Sequence, residues 1–167
     1  MPLNKHIVII GMSGVGKSTL ARAVSDKFNL LWYDTDLIIE NIYKLTIEEI
    51  WESFGEFNFR VMERKVLFDI LNMEPGVVST GGGLTCHFNH MYLLRNYDTI
   101  YLEAEEQLIL NRIKNLNKPL FKNNLLNSIS LKKLLITRKH YYNQANLKVS
   151  AEKNIEELVN ILGRRIL

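Results

Sequence analysis

Short apolar segments recur along the chain, separated by longer stretches in which apolar residues are spaced three or four apart. Several of the short segments are apolar almost throughout, as expected where helices cover both faces of a parallel sheet. They predict buried strands with the sequences HIVII, LLWY, GVVST, TIYL and LKVS, at His6–Ile10, Leu30–Tyr33, Gly76–Thr80, Thr99–Leu102 and Leu147–Ser150.

The stretches between these strands carry helix signals. Thr46 with Glu49 matches a capping box, and Asn154 with Glu157 marks the start of the last helix. Strand and helix alternate, which predicts a three-layer α/β fold with a mainly parallel sheet. Within 56–73, one helical stripe is apolar; it holds Phe59, Met62, Val66 and Ile70.

Length and composition narrow the class of protein. A chain of 167 residues suits a single domain over 1–167, and 47% hydrophobic with 23% charged residues is a globular composition. The net charge of +3 comes without a polybasic tail, which disfavours a nucleic-acid partner and suits small anionic ligands.

The cysteine content and the apolar segments of the chain bear on its cellular compartment and its oligomeric state. The single cysteine, Cys86, excludes an internal disulfide and is compatible with a reducing cytosol. The apolar run near the start is too short to span a membrane and lacks the layout of a cleavable signal. We therefore expect a cytoplasmic protein with no membrane partner. No long apolar surface stripe is evident, so we expect a monomer.

The strongest motif is GMSGVGKST, from Gly11 to Thr19, between an apolar strand and an amphipathic helix. It matches the phosphate-binding P-loop, whose backbone N–H groups and helix N-terminus bind phosphate oxygens. Lys17 would reach the β- and γ-phosphates, and the Ser18 hydroxyl would ligate Mg²⁺. A nucleotide would thus contact Gly14, Val15, Gly16, Lys17, Ser18 and Thr19.

Other P-loop classes fit less well. The chain has neither the D-x-x-G nor the N-K-x-D element of a GTPase, and ATPase motors need a larger body. Of the P-loop classes considered, a compact small-molecule kinase is therefore the one that fits this chain.

Asp34 and Asp36 follow the second predicted strand, at the edge of an open α/β sheet where ligands bind. One carboxylate can lie near the Mg²⁺ shell while the other accepts a hydrogen bond from an acceptor hydroxyl. A helix-capping aspartate beside a solvated one would give the same pattern.

Arg60 and Glu63 lie three apart on one helical face. They form either a surface ion pair or an arginine held by Glu63 for bidentate contact with a substrate carboxylate. Arg138, before the last strand, is either a solvated charge at the end of a helix or a second arginine for an anionic substrate.

These motifs in this order resemble shikimate kinase: the P-loop, Asp34-x-Asp36, Phe59-Arg60-x-x-Glu63, Gly81-Gly82-Gly83 and Arg138-x-x-x-Tyr142. The resemblance covers essentially the whole chain. It implies a nucleoside-monophosphate-kinase-like fold with a five-stranded parallel sheet, substrate-binding helices over about 34–63 and a lid over about 113–127. The implied reaction is ATP-dependent phosphorylation of the 3-hydroxyl of shikimate in aromatic amino-acid biosynthesis, with Mg²⁺ as cofactor.

The resemblance also implies roles for single residues. Asp36 would contact the acceptor hydroxyl and act as the catalytic base, and Asp34 would lie beside the metal. Arg60 and Arg138 would bind the substrate carboxylate. Gly81, Gly82 and Gly83 would leave room for a small polyol, and Gly82 would offer its backbone N–H to the substrate. A strained turn without a ligand would also explain three glycines.

The lid departs from the family pattern. Where the family has R-P-L, this chain has Lys118-Pro119-Leu120. Lysine keeps the charge that would neutralise the transferring phosphate but lacks the planar guanidinium, so turnover could be weakened. Lys122 or Arg112 could share the role. Arg112 stands where the family packs an arginine on the adenine ring.

The remaining candidates have structural interpretations. Cys86, His87 and His90 lack the second Cys/His pair that would complete a zinc site. The tryptophans and the phenylalanines at Phe54–Phe59 are expected in the core, with Trp51 and Phe59 as additional walls of the substrate pocket.

Two competing functions stay open. A kinase for another hydroxylated acid, such as gluconate, would lack the two arginines combined with the triple glycine. A non-catalytic nucleotide-binding protein would show damage at Lys17, Ser18 or Asp36, and all three are present.

Overall fold

The computed structural model of the protein describes residues 3–114 and 128–166. Within them, five parallel strands form one sheet in the order β2-β3-β1-β4-β5. This confirms the predicted five-stranded parallel sheet. The strands are β1 (Ile7–Ile10), β2 (Leu31–Asp34), β3 (Gly76–Ser79), β4 (Asp98–Glu103) and β5 (Leu147–Ser150).

Helices pack on both faces of the sheet and complete the three layers. Ile7 and Ile9 of β1 join an apolar cluster beneath the first and last helices, whereas Val8 and Ile10 join a second cluster on the opposite face. Alternate residues of one strand therefore serve two cores. The helices are α1 (Lys17–Phe28), α2 (Thr35–Tyr43), α3 (Ile47–Leu71), α4 (His90–Leu94), α5 (Glu106–Lys114), α6 (Ser128–Tyr142) and α7 (Ile155–Gly163), with a 3₁₀ turn at Leu84–Cys86.

The helix α3 joins two predicted helical segments across a kink. Its capping box is present: Glu49 N donates to Thr46 Oγ1 at 3.3 Å, and Thr46 N donates to the Glu49 carboxylate at 2.7 Å. Gly55 has φ 75° and ψ 167°, outside the helical range, and bends the helix there. The predicted start is confirmed, and the helix ends at Leu71.

Two phenylalanines expected in the core are exposed instead. Phe59 is 4% exposed, but Phe54 is 43% and Phe57 is 72% exposed. Phe57 precedes Phe59 by two positions, about 200° around a helix, so the two rings face opposite directions. Val61 and Phe68 are also exposed on α3. The sequence predicts no such apolar stripe on the surface, and the monomer stays a prediction.

The lid prediction lies largely outside the described residues. Residues 115–127 are not described, so Lys118, Pro119, Leu120 and Lys122 are not placed. Among residues 3–114 and 128–166, no helix is long and apolar enough to cross a bilayer.

Parallel strands place the motifs at one edge of the sheet. The P-loop follows β1, Asp34 ends β2, and the triple glycine follows β3. Since β1, β2 and β3 are parallel, all three carboxyl ends meet at this edge, where open α/β sheets bind ligands.

Candidate active site

The P-loop turns sharply from β1 into α1 and presents its backbone to a cavity. Gly14 and Gly16 have φ of 80° and 106°, a backbone conformation that glycine adopts without strain. Lys17 begins α1, and its Nζ donates to the carbonyl of Met12 at 2.7 Å. The N-terminus of α1 and the Lys17 amine thus give this loop the positive charge that phosphate binding requires.

A cavity of about 570 Å³ opens over this loop. It is large enough for a nucleotide, and residues from the nucleotide and acceptor motifs share its wall. Asp36, Thr80 and Gly82 come from the acceptor side. The nucleotide side contributes Ser13, Gly14, Val15, Gly16, Lys17, Ser18, Thr19, Leu20 and Arg112.

Arg112 of α5 links the P-loop to the segment after β5 through hydrogen bonds from its guanidinium. Its guanidinium donates to the carbonyl of Val15 and, at 3.2 Å, to the carbonyl of Ala151. It lies on the wall of the cavity, where the resemblance implied contact with the adenine. Its planar group therefore has one edge bound to backbone and lies beside the space for a nucleotide base.

Asp34 connects the P-loop to the start of α2. Its Oδ1 accepts hydrogen bonds from the backbone N–H groups of Asp36 and Leu37, which caps the helix. Its Oδ2 accepts from Ser18 Oγ at 2.6 Å and from Ser79 Oγ at 2.6 Å. Asp34 is thus both a capping aspartate and a neighbour of the predicted metal ligand.

Ser18 and Asp34 suit Mg²⁺ chemically. A hydroxyl oxygen and a carboxylate are hard oxygen donors, and Mg²⁺ in phosphoryl-transfer sites takes few protein ligands and keeps several waters. The Ser18 proton is directed at Asp34, so the hydroxyl lone pairs remain for a metal ion.

Asp36 lies beside the first glycine of the triple. A Cβ placed on Gly81 would lie 2.7 Å from Asp36 Oδ1 and 2.6 Å from Glu63 Oε1. Two carboxylates therefore face the same bare Cα. The backbone N–H of Gly81 donates to Thr35 Oγ1 at 2.9 Å, which holds the turn against the start of α2.

Arg60 and Glu63 form a buried pair, so the surface-pair interpretation is wrong. Arg60 Nη1 donates to Glu63 Oε2 at 2.7 Å, and both side chains are almost fully buried. Arg60 Nη2 also contacts Glu56 at 3.0 Å, and its guanidinium lies 5.4 Å from the ring centroid of Trp51 and 5.3 Å from that of Phe59. The arginine is held on several sides.

Burial raises the pKa of the Glu63 carboxyl to about 7. The Arg60 guanidinium opposes this shift, and the Asp36 carboxylate adds to it. Glu63 Oε1, the oxygen that faces Gly81, has no hydrogen-bond partner among the described residues. Near neutral pH the Glu63 carboxyl is therefore close to the midpoint of its titration, so both its neutral and its ionised forms are present.

The other two glycines allow equally close approach. A Cβ on Gly82 would lie 2.6 Å from the backbone N of Ser13 in the P-loop. A Cβ on Gly83 would lie 2.7 Å from Arg60 Nη1. The triple glycine thus lets one turn contact the P-loop, the buried arginine and Asp36 at once.

Arg138 and Tyr142 bind this turn from α6. Arg138 Nη1 donates to the carbonyl of Gly82 at 3.2 Å, and the Tyr142 hydroxyl donates to the same oxygen. Tyr142 is buried, and its ring stacks on Tyr101 with centroids 5.1 Å apart. The structure brings Arg138 to the same turn as Arg60.

The sequence interpretation did not assign roles to Ser79, Thr35 or Tyr142. Each contacts a predicted site residue through a side-chain hydroxyl. The available signals were weak: Ser79 precedes the glycine turn by two residues, and Tyr142 follows Arg138 by one helical turn.

The Cys86, His87 and His90 cluster supports the fold and is not arranged as a metal site. His90 is buried, and its Nδ1 lies 2.7 Å from the carbonyl of Leu84, which it ties to the start of α4. In the described part of the chain, no three His, Cys, Asp or Glu side chains are grouped to hold a metal ion.

Comparisons with known proteins agree with the motifs. A family model described as shikimate kinase matches residues 13–165. A shikimate kinase of Sulfurihydrogenibium sp. (strain YO3AOP1) is 36% identical over 168 residues, covering 96% of this chain and 99% of the relative.

Solved structures give the same family. The shikimate kinase of Bacteroides thetaiotaomicron aligns with a TM-score of 0.87 at 27% identity, over 97% of this chain and 98% of that one. The shikimate kinase of Acinetobacter baumannii, solved in complex with shikimate, aligns with a TM-score of 0.88 at 27% identity, over 97% and 92% of the two chains. With a family model matching nearly its whole length, the chain belongs to the shikimate kinase family.

Proposed function

We propose that this protein transfers the γ-phosphate of ATP to the 3-hydroxyl of shikimate, giving shikimate 3-phosphate and ADP, in the biosynthesis of chorismate and the aromatic amino acids. One observation carries the proposal: Asp36 and Gly82 share a cavity with Lys17 and Ser18. An acceptor beside Asp36 would therefore face the terminal phosphate of a nucleotide held by the P-loop.

The P-loop would bind the phosphates of ATP. Backbone N–H groups of residues 14–19 and the N-terminus of α1 favour phosphate oxygens at this loop. Lys17, now on the Met12 carbonyl at 2.7 Å, would turn to the β- and γ-phosphates. Arg112 would lie against the adenine.

Mg²⁺ would be held by the Ser18 hydroxyl oxygen, with Asp34 nearby through water. When bound, the ion would neutralise charge on the phosphate oxygens. Asp34 Oδ2 accepts a hydrogen bond from the Ser18 hydroxyl at 2.6 Å, which would orient the hydroxyl oxygen toward the metal ion.

Asp36 would orient the acceptor hydroxyl and accept its proton. Asp36 lines the cavity that Lys17 and Ser18 also line, so an acceptor hydroxyl beside it would face the nucleotide phosphates. In a loose transition state the proton leaves late, so positioning matters more than basicity.

Arg60 and Arg138 would bind the substrate carboxylate. Arg60 is oriented by Glu63 and Glu56, and Arg138 by the Gly82 carbonyl. A guanidinium offers five donors in a fixed plane, so each arginine retains donors for a carboxylate while making these contacts. The absence of side chains at Gly81, Gly82 and Gly83 lets this turn pack against Asp36, the P-loop and Arg60, which would hold these groups together around the substrate.

Lys118 would supply positive charge to the transferring phosphate from the lid. Closure of the lid over about 113–127 would exclude water and suppress ATP hydrolysis. Both proposals concern residues outside the described part of the chain and stand on the family pattern.

A substrate panel tests the proposal. ADP release with Mg·ATP should be stimulated by shikimate, and not by gluconate or AMP; quinate tests the breadth of the acceptor site. NMR of the product should place the phosphate on the 3-oxygen. Stimulation by gluconate or AMP without stimulation by shikimate would overturn the assignment.

A matched pair of variants locates the carboxylate site. Arg138→Met should raise KM for shikimate while leaving ATP binding unchanged, since Arg138 contacts the glycine turn. Lys139→Met, at the exposed neighbouring position on α6, removes the same formal charge away from that turn and should leave both unchanged. Equal effects of the two changes would contradict a specific role for Arg138.

Assembly and compartment stay predictions. We propose a cytoplasmic enzyme whose partners are ATP and shikimate, without nucleic-acid or membrane partners. A monomer is the simplest state, although the exposed Phe57, Val61 and Phe68 call for a direct measurement by light scattering.

A further inference from the structure

A chain of hydrogen bonds runs from the outer part of the sheet to the predicted metal ligand. Trp32 Nε1 donates to Ser79 Oγ at 3.1 Å, and Ser79 Oγ donates to Asp34 Oδ2 at 2.6 Å. The same carboxylate oxygen accepts from Ser18 Oγ at 2.6 Å. Four side chains from β2, β3 and α1 are therefore linked in one line.

The register of the sheet produces this line. Asp34 pairs with Ser79 across β2 and β3, so both side chains project on one face. Trp32 precedes Asp34 by two residues and projects on that face as well. Its indole spans diagonally to the neighbouring strand, a distance within reach of an aromatic side chain. α1 covers this face and brings Ser18 to the other side of Asp34.

The direction of each hydrogen bond is fixed by chemistry. An indole N–H can only donate, so Ser79 Oγ accepts from Trp32. Ser79 has a single hydroxyl proton, and it has two acceptors in range: Asp34 Oδ2 at 2.6 Å and the carbonyl of Tyr33 at 3.3 Å. The shorter, charge-assisted bond is favoured. Trp32 therefore directs the Ser79 proton to Asp34.

Asp34 in turn directs the Ser18 proton. With Oδ1 bound to two backbone N–H groups and Oδ2 bound by Ser79, the carboxylate cannot rotate without losing hydrogen bonds. Its second acceptor position on Oδ2 is occupied by Ser18. The orientation of the Ser18 lone pairs thus depends on Ser79.

We infer that Ser79 and Trp32 are positioning residues for the magnesium site, and that they act by fixing Asp34 and through it the Ser18 hydroxyl. This rests on the proposed function, in which Ser18 is the metal ligand. Groups that orient metal-binding side chains from behind commonly change metal affinity when they are removed.

Nucleotide binding measures the effect without catalysis. Titration calorimetry of ADP at stepped Mg²⁺ concentrations gives the Mg²⁺ concentration at half-maximal enhancement of ADP affinity. Ser79→Ala should raise this concentration about tenfold, the lower end for loss of an orienting group. ADP affinity without Mg²⁺ should stay within about twofold of the wild-type value, because the hydrogen bonds of the Ser79 hydroxyl join it to β2 and not to the phosphate-binding loop.

Two further variants separate positioning from stability. Ser25→Ala removes another buried serine hydroxyl, bonded to the carbonyl of Leu31 at 3.4 Å and away from the cavity, so it should leave the Mg²⁺ dependence unchanged. Trp32→Phe keeps an aromatic ring but removes the donor to Ser79. It should raise the Mg²⁺ requirement about threefold, and it tests the relay even if Ser79→Ala does not fold.

The outcomes are distinct. A Ser79→Ala protein that loses stability but keeps the wild-type Mg²⁺ dependence would overturn the inference, as would an equal shift in Ser25→Ala. A shift in Ser79→Ala but none in Trp32→Phe would remove Trp32 from the relay. If the wild-type protein binds ADP independently of Mg²⁺, the proposed metal site itself fails, and the relay fails with it.

Discussion

Arg60 donates a hydrogen bond of 2.7 Å to Glu63 one helical turn away, and both side chains are almost fully buried. Exposed ion pairs of this spacing stabilise a helix only slightly. This pair is buried, which changes its energetics. Desolvation raises the pKa of the Glu63 carboxyl, and the neighbouring Asp36 carboxylate raises it further. The pair therefore fixes Arg60, which we propose binds the substrate carboxylate, at a cost in stability that depends on pH.

The first prediction concerns this pH dependence. The pKa of Glu63 is raised from 4.5 to about 7, so the folded protein retains a proton that the unfolded chain releases between these values. The stability gained from that proton is complete below pH 4.5 and is lost as pH rises through about 7. Relative to Glu63→Gln, which cannot titrate, the wild-type free energy of unfolding should fall by roughly 2–3 kcal/mol between pH 4.5 and 8.

Denaturant unfolding at several pH values measures this difference. Asp36→Asn provides the control: because Asp36 raises the pKa of Glu63, its removal should move the midpoint of the transition to lower pH. A difference between wild type and Glu63→Gln that stays constant with pH would show that Glu63 titrates normally.

The second prediction concerns Asp36 itself. Asp36→Asn should lower kcat by about a thousandfold, as expected when a group that orients and deprotonates the acceptor is lost. ATP binding should change little, because the phosphates would be bound by the backbone N–H groups and the lysine of the P-loop. Equilibrium dialysis of ATP and the ADP-release assay together separate the two effects. Loss of both activity and ATP binding would mean that Asp36 is structural.

The third prediction compares two glycines. A Cβ on Gly82 would lie 2.6 Å from the Ser13 backbone N, which cannot move without displacing the P-loop. Gly82→Ala should therefore impair both ATP and shikimate binding. Gly55→Ala meets no atom within 4 Å but is strained at φ 75° and ψ 167°, so it should cost about 2 kcal/mol of stability and leave both binding constants unchanged. Calorimetric titration with each ligand distinguishes them, and an active Gly82→Ala protein would contradict the close contact.

Much of the fold and part of the site could be predicted from the sequence. Both faces of the sheet are covered at β1, β3 and β4, so these strands are largely apolar and stand out from the chain. The P-loop and Asp34-x-Asp36 are local, because neighbours in sequence build each of them around one strand end. The residues of these elements are close in the sequence and close in space, so the sequence pattern is sufficient to predict them.

The parts not predicted depend on contacts between distant residues. Ser79 and Tyr142 bind site residues only because strand register and the path of α6 bring them there, and a single serine or tyrosine carries no signal of its own. Phe54 and Phe57 were assigned to the core by residue type, whereas the kink at Gly55 and the rotation of α3 expose them.

The fourth prediction concerns the lid. Lys118→Arg would restore the planar guanidinium of the family pattern at the transferring phosphate, so turnover should be held or raised. Steady-state kcat with shikimate measures it, with Lys139→Arg, at an exposed position on α6, as the control for the same exchange elsewhere. A large fall in kcat for Lys118→Arg alone would show that the lid uses lysine for another purpose.

The fifth prediction concerns the Tyr142 hydroxyl, which shares the Gly82 carbonyl with Arg138. Tyr142→Phe keeps the ring that stacks on Tyr101 and removes one of the two donors. The Gly82 carbonyl then depends on Arg138, which we propose also binds the substrate carboxylate. KM for shikimate should rise about fivefold and stability should fall by about 1 kcal/mol, with KM for ATP unchanged. Tyr141→Phe, on the same helix but outside these contacts, is the matched control. Equal changes in the two KM values for Tyr142→Phe would mean that the hydroxyl supports the fold as a whole, and the assigned link between α6 and the glycine turn would be wrong.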